Sequence, residues 1–252
     1  MDIGIGTAKQ IYDIAKKQGW IDQLLSLFKK RYKVLMLGSS GVGKTNLIQS
    51  LTEDMPEVIH YSTRTTGAPT SSIEIDKVPF SFIDTPGQEA HESIRMRAIR
   101  EYCASVDLVI NVVCYGYHEY ARGKDQAITR EGTINPEYLQ ANRMREIRAV
   151  QEWNGILGGA APYRLLTVIA KADLWWHLHE EVLSHYEKGE YYENMGAAQS
   201  LNPTVTYHSS VFHKLYGIGP LSGYFDEQDR ILARANLLKS IVELIGKGGI
   251  ND

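Results

Sequence analysis

Gly38-Ser39-Ser40-Gly41-Val42-Gly43-Lys44-Thr45 decides the reading of this chain. It follows the pattern G-x-x-x-x-G-K-[ST]. Its glycines let the backbone curl around phosphate oxygens with N–H groups pointing inward. Lys44 offers a point charge to the β- and γ-phosphates, and the Thr45 hydroxyl suits Mg²⁺. Such a loop works only between a buried strand and a helix, and both flanks agree. Tyr32–Leu37 is a short apolar run suited to a strand covered on both faces, and a helical pattern begins at Thr45.

Outward from this loop, strand and helix patterns alternate. Ser72–Lys77 and Val78–Ile83 read as a hairpin turning at Asp76-Lys77. His91–Cys103 places Ile94, Ala98 and Ile99 at helical spacing. Leu108–Cys114 and Leu165–Ala170 are β-branched runs, Thr204–His208 is a shorter one, and Glu227–Ile245 closes as an amphipathic helix. This order predicts an α/β fold, with a mostly parallel sheet and helices on both faces. Two stretches, about 115–163 and 174–203, exceed what a minimal crossover needs and are expected to be insertions. In the first, Pro136–Trp153 reads as helix; the second holds Trp175, Trp176, Tyr186, Tyr191 and Tyr192.

The next chemical signal is Asp84-Thr85-Pro86-Gly87-Gln88-Glu89, at the end of the strand after the phosphate loop. A carboxylate at Asp84 can hold Mg²⁺ through a water. The Gly87 N–H can sense a γ-phosphate, and Gln88 can orient an attacking water.

With both motifs in view, the chain resembles the Ras-like small GTPases of the translation-factor-related P-loop class. Lys33–Leu47, which includes Val42 and Asn46, looks like the first motif of Rab proteins, and Asp84–Glu89 resembles the family's third motif. The resemblance implies a three-layer P-loop sandwich over residues 32–252, preceded by a helical extension at 1–31. It implies GTP and GDP as ligands with Mg²⁺ held by Thr45, Asp84 and a switch threonine. Thr63, Thr65, Thr66 and Thr70 compete for that last role. Thr65 is favoured because Thr65-Thr66-Gly67 resembles the Arf and G-protein α pattern. The arginine that α subunits carry three residues earlier is Ser62 here. Ala170-Lys171-Ala172-Asp173 resembles the base-reading motif, which implies Asp173 on the guanine edge and the Lys171 stem over the ring. Ala170 stands where the family has Asn or Thr. Ser209-Ser210-Val211 is similar to the fifth motif. The implied activity is a GTP-hydrolysing switch in which Lys44, Thr65 and Gln88 serve catalysis. The alternatives are a nucleotide-binding interaction module that hydrolyses little, and an ATPase on the same sheet.

Composition sets the remaining expectations. In 252 residues, 43% are hydrophobic, enough to bury a core, and no apolar run is long enough to span a membrane. A net charge of −3 leaves no footprint for nucleic acid. Two cysteines, and a start without a signal-peptide pattern, point to a reducing cytoplasm. Cys103 and Cys114 read as small core residues, the tryptophan pair as packing, and His177, His179 and His185 as exposed polar residues. Residues 1–33 carry seven Lys/Arg against three Asp, a charge of +4 on a chain otherwise negative. With Ile21, Leu24, Leu25 and Phe28 on one face, this arm is expected to be an amphipathic helix. It packs on its own domain or docks on a partner or an anionic membrane surface. A protein effector or activating partner is expected from the resemblance.

Overall fold

A computed structural model describes residues 31–52, 68, 70–75, 78–87, 91–119, 126–129, 133–157, 164–196, 204–210 and 225–246. The N-terminal helix, Thr63, Thr65, Thr66 and Gln88 lie outside the described residues. Six strands alternate with helices: β1 (Tyr32–Leu37), α1 (Lys44–Thr52), β2 (Thr70–Ile75), β3 (Val78–Asp84), α2 (Glu92–Tyr102), β4 (Leu108–Val113), α3 (Pro136–Leu157) and β5 (Leu165–Ile169). Then come α4 (Ala172–Trp175), a 3₁₀ turn (Trp176–Leu178), α5 (His179–Glu187), α6 (Glu190–Gly196), β6 (Thr204–Tyr207) and α7 (Glu227–Gly246).

The strands form one sheet in the order β2-β3-β1-β4-β5-β6, parallel except for the β2–β3 hairpin. Successive strand side chains point to opposite faces. Every residue of β4 and β5 is buried, so both faces of the sheet's middle are covered. β1 departs once from that pattern, at the exposed Lys33, whose backbone N–H donates to the Asp107 carboxylate at 2.8 Å. α7 packs on β4, β5 and β6, α1 on β2 and β3, and α2, α3, α5 and α6 lean on one another.

Chain order explains where a ligand belongs. From β1 the sheet grows to β3 on one side and β4 on the other, so the connections diverge at its carboxyl end. Open α/β sheets bind ligands in the crevice at such a point. The phosphate loop leaves β1 there.

The described part of the expected second insertion is helical, running from α4 through α6. Its aromatics bind it to the domain: Trp175, Tyr186 and Tyr191 are buried, and the Tyr186 and Tyr191 rings meet at 4.7 Å. The structure corrects the expectation for two histidines here, and His177 is partly buried rather than exposed. His185 is not an exposed polar residue; its ring is half-buried, edge-on to Tyr186 at 4.8 Å and to Tyr115 at 5.5 Å.

Candidate nucleotide site

The phosphate loop is shaped by three glycines at positive φ: Gly38 at 141°, Gly41 at 78° and Gly43 at 101°. At Gly38 a Cβ would sit 2.5 Å from the Val112 carbonyl oxygen, so only glycine fits against β4. Val42 plugs the core beneath the loop, and α1 starts with the Leu47 N–H on the Gly43 carbonyl at 2.9 Å. Ser39, Ser40 and Asn46 are partly exposed on the loop and its helix. Lys44 is buried, and its ammonium donates to the carbonyls of Gly38 at 2.8 Å and Ser39 at 3.1 Å. Burial pushes its pKa down to about 8; Asp84 pulls it back up, and the Arg95 guanidinium presses it lower.

Asp84 ends β3 opposite Met36 of β1, which carries it to the same edge as the loop. The Thr45 hydroxyl donates to the Asp84 carboxylate at 3.0 Å. A hydroxyl and a carboxylate this close offer the hard oxygen donors that suit Mg²⁺. Gly87 lies hard against the loop: a Cβ there would come within 2.6 Å of both Lys44 Nζ and the Ser39 carbonyl. Arg95 of α2, buried, braces this segment through the Pro86 carbonyl at 3.4 Å and Glu152 of α3 at 3.2 Å.

The second half of the site follows β5. The Ala170 N–H extends the sheet onto the Val113 carbonyl at 2.7 Å. Lys171 then adopts φ 59°, a left-handed conformation uncommon outside glycine. This aims its ammonium at the Gly41 carbonyl (2.9 Å) and the Tyr117 carbonyl (2.7 Å), with the Glu119 carboxylate at 3.6 Å. Asp173 is buried in the first turn of α4, where its carboxylate accepts from the Ser209 hydroxyl at 2.7 Å. Ser210 follows, partly exposed. Lys44, Thr45, Asp84 and Gly87 are thus brought together at one end, Asp173 and Ser209 at the other, with Lys171 between.

Parts of this chain are similar to known proteins. Residues 33–148 match the model of the family described as 50S ribosome-binding GTPase. That match covers 116 of the 252 residues, and over it the chain is similar to P-loop GTPases. It is 36% identical over 72 residues to an uncharacterized protein of Methanocaldococcus jannaschii, covering 29% of this chain and 46% of that one. The match therefore spans under half of that relative's length. Among solved structures, the fold is similar to a dimerization-deficient mutant of Toc33 from Arabidopsis thaliana. That likeness has a TM-score of 0.53 at 16% identity over 96% of this chain and 93% of that one. The nucleotide-analogue-bound small GTPase Arl6 from Trypanosoma brucei aligns with a TM-score of 0.46 at 17% identity, covering 85% and 98%.

One part of the domain was not visible to motif reading. After β4 the chain turns through Tyr115 at φ 52° and Gly116 at φ 83°, and the turn closes on Glu146 of α3. One Glu146 oxygen accepts from the Cys114 N–H at 2.9 Å, the His118 ring at 2.9 Å and the Gly116 N–H at 3.4 Å. The other accepts from the Tyr186 hydroxyl at 2.5 Å. Burial alone would raise this carboxyl, but His118, Tyr186 and the Cys114 N–H hold it below the usual carboxylate range. His118 is lowered, chiefly by burial, so a neutral imidazole donates to a carboxylate. Cys114 Sγ, a His118 ring nitrogen and a Glu146 oxygen lie within 4.8 Å of one another. These are metal-ligand residue types, yet the carboxylate is already satisfied by four protein donors, which suits a hydrogen-bond hub. The sequence did carry a signal for it. Leu139, Asn142, Glu146, Val150, Trp153 and Leu157 form the buried stripe of α3, so a charge sits on an otherwise mostly apolar face.

Proposed function

We propose that this domain is a GTPase and a molecular switch, which binds GTP with Mg²⁺, hydrolyses it and changes partner affinity as its switch segments release. The observation that carries the reading is the 3.0 Å contact of Thr45 with Asp84 beside the buried Lys44 ammonium. Thr45 and Asp84 would hold the Mg²⁺, with Thr65 completing its ligands when a γ-phosphate is present. Bound there, the ion supplies charge stabilisation to the transferred phosphoryl group. The Lys44 ammonium and the loop N–H groups steady the phosphate oxygens. The Gly87 N–H reports the γ-phosphate to the segment that follows, and Gln88 orients water. Asp173, steadied by Ser209, accepts the N1–H and N2–H₂ of guanine, a pair adenine lacks. A protein effector would read the two switch segments.

A second reading, a nucleotide-binding regulatory module with little hydrolysis, is favoured by Ala170, which offers no side-chain amide beside the base loop. Single-turnover hydrolysis on the purified full chain separates the two. The switch requires Mg²⁺-dependent release of phosphate from GTP, slowed by Gln88→Leu with binding retained. Tight binding without phosphate release selects the module. Asp173→Asn should abolish the preference for GTP over ATP, and an unchanged preference would refute the base assignment.

A further inference from the structure

We propose that Glu146 is a positioning residue of the nucleotide site, acting through the turn Cys114–Glu119 on Gly41 and Lys171. The inference rests on the functional reading above and concerns how that site is held.

The chain of contacts is continuous. Glu146 fixes the start of the turn by accepting from the N–H groups of Cys114 and Gly116, and its middle by accepting from His118. The far end of the turn is the part that meets the site. The Glu119 N–H donates to the Gly41 carbonyl at 3.1 Å. The Tyr117 carbonyl and the Glu119 carboxylate take two sides of the Lys171 ammonium, whose third partner is the same Gly41 carbonyl. The fit leaves no slack: a Cβ on Gly41 would overlap the Glu119 backbone at 2.4 Å.

The turn is also held where its own preferences would not put it. Tyr115 sits at φ 52°, a conformation that costs a bulky residue and persists only where surroundings over-determine it. Those surroundings are the Tyr186 hydroxyl on the Tyr115 N–H at 2.8 Å, Glu181 on its hydroxyl at 2.5 Å, and Arg143 over its ring at 4.6 Å. A buried carboxylate with four donors is stronger than the same number of neutral bonds, because each is charge-assisted. Stability alone would not require the anchored turn to end on two groups of the nucleotide site. Its ending there is the reason to assign positioning.

The test is a double-mutant cycle on the full chain, read by titration with a fluorescent GDP. Glu146→Gln keeps the shape but removes the charge, and should weaken GDP about fivefold. In a Lys171→Met background the same change should weaken it less than twofold, because the charged one of the two groups it positions is gone. An equal factor in both backgrounds would mean general loosening and would overturn the proposal, as would no loss in the parent. If Glu146→Gln does not fold, Tyr138→Phe probes the same turn, since the Tyr138 hydroxyl donates to the His118 carbonyl at 3.0 Å. It should weaken GDP about threefold in the parent and not in the Lys171→Met background; equal factors again overturn the idea. A parent protein that binds no guanine nucleotide overturns the functional reading itself, which this cycle reports separately.

Discussion

Lys44 shows what burial does to a single group. Its ammonium is solvated by two carbonyls rather than by water, and its pKa falls to about 8 in the free protein. A polyphosphate beside it favours the charged form and raises that pKa again. Nucleotide binding should therefore take up about half a proton at pH 8 and about nine-tenths at pH 9, and affinity should fall as pH rises, by up to about tenfold per unit. Calorimetry in buffers of different ionisation enthalpy measures the uptake. No dependence on buffer would mean that Lys44 is fully charged before the ligand arrives. At this scale the placement of the candidate residues was legible in the sequence where it is local. Lys44 and Thr45 share one loop, Asp84 ends β3, and Asp173 lies in the first turn of α4 just beyond β5. Glu146 was missed for the opposite reason: its donors come from residues 28 to 40 positions away in both directions, and its one local mark, a charge on the mostly apolar face of α3, does not name them.

Among the elements, the turn after β4 and the helix α3 invite a paired measurement. At Gly116, φ 83° and a Cβ only 2.2 Å from the Leu139 carbonyl oxygen make any side chain a clash with α3. Gly116→Ala should cost about 2–4 kcal/mol of unfolding free energy. Gly155 is the contrast, exposed within α3 with open space where a methyl group would go, so Gly155→Ala should gain up to about 1 kcal/mol. Urea denaturation of both variants checks the pair; equal effects would show that the turn yields at little cost. The strands were readable because β1, β4 and β5 are apolar runs of the right length between turn signals. The helices α4, α5 and α6 were not, since at 4, 9 and 7 residues they are too short to show a period. Their aromatic residues gave away the packing instead.

Over the whole molecule, acid should act through histidines that the fold keeps neutral. His208 joins α1 to the end of β6 through the Ser50 hydroxyl at 2.9 Å. Burial, and then the Arg234 charge, push its pKa down to about 3. The unfolded chain takes up this proton near pH 6.5 and the folded chain does not. Stability should therefore fall as pH drops below about 6.5, by up to about 1.4 kcal/mol per unit for this group, and His118 adds a loss of the same sign. Denaturation at pH 7 and pH 5 should show His208→Gln losing about 2 kcal/mol less than the parent. A parallel loss would place the acid sensitivity elsewhere. The sheet order was only partly foreseen: alternation announced parallel strands, but which strands become neighbours depends on contacts between distant segments. That order also has a consequence for biosynthesis. The strands β2, β3, β1 and β4 can all pair once Val113 has cleared the ribosome. Their open margin is then β4, every residue of which is buried in the finished protein. Until β5 is translated, a nascent chain carries that apolar margin uncovered, the sort of surface on which chaperones act and aggregates nucleate.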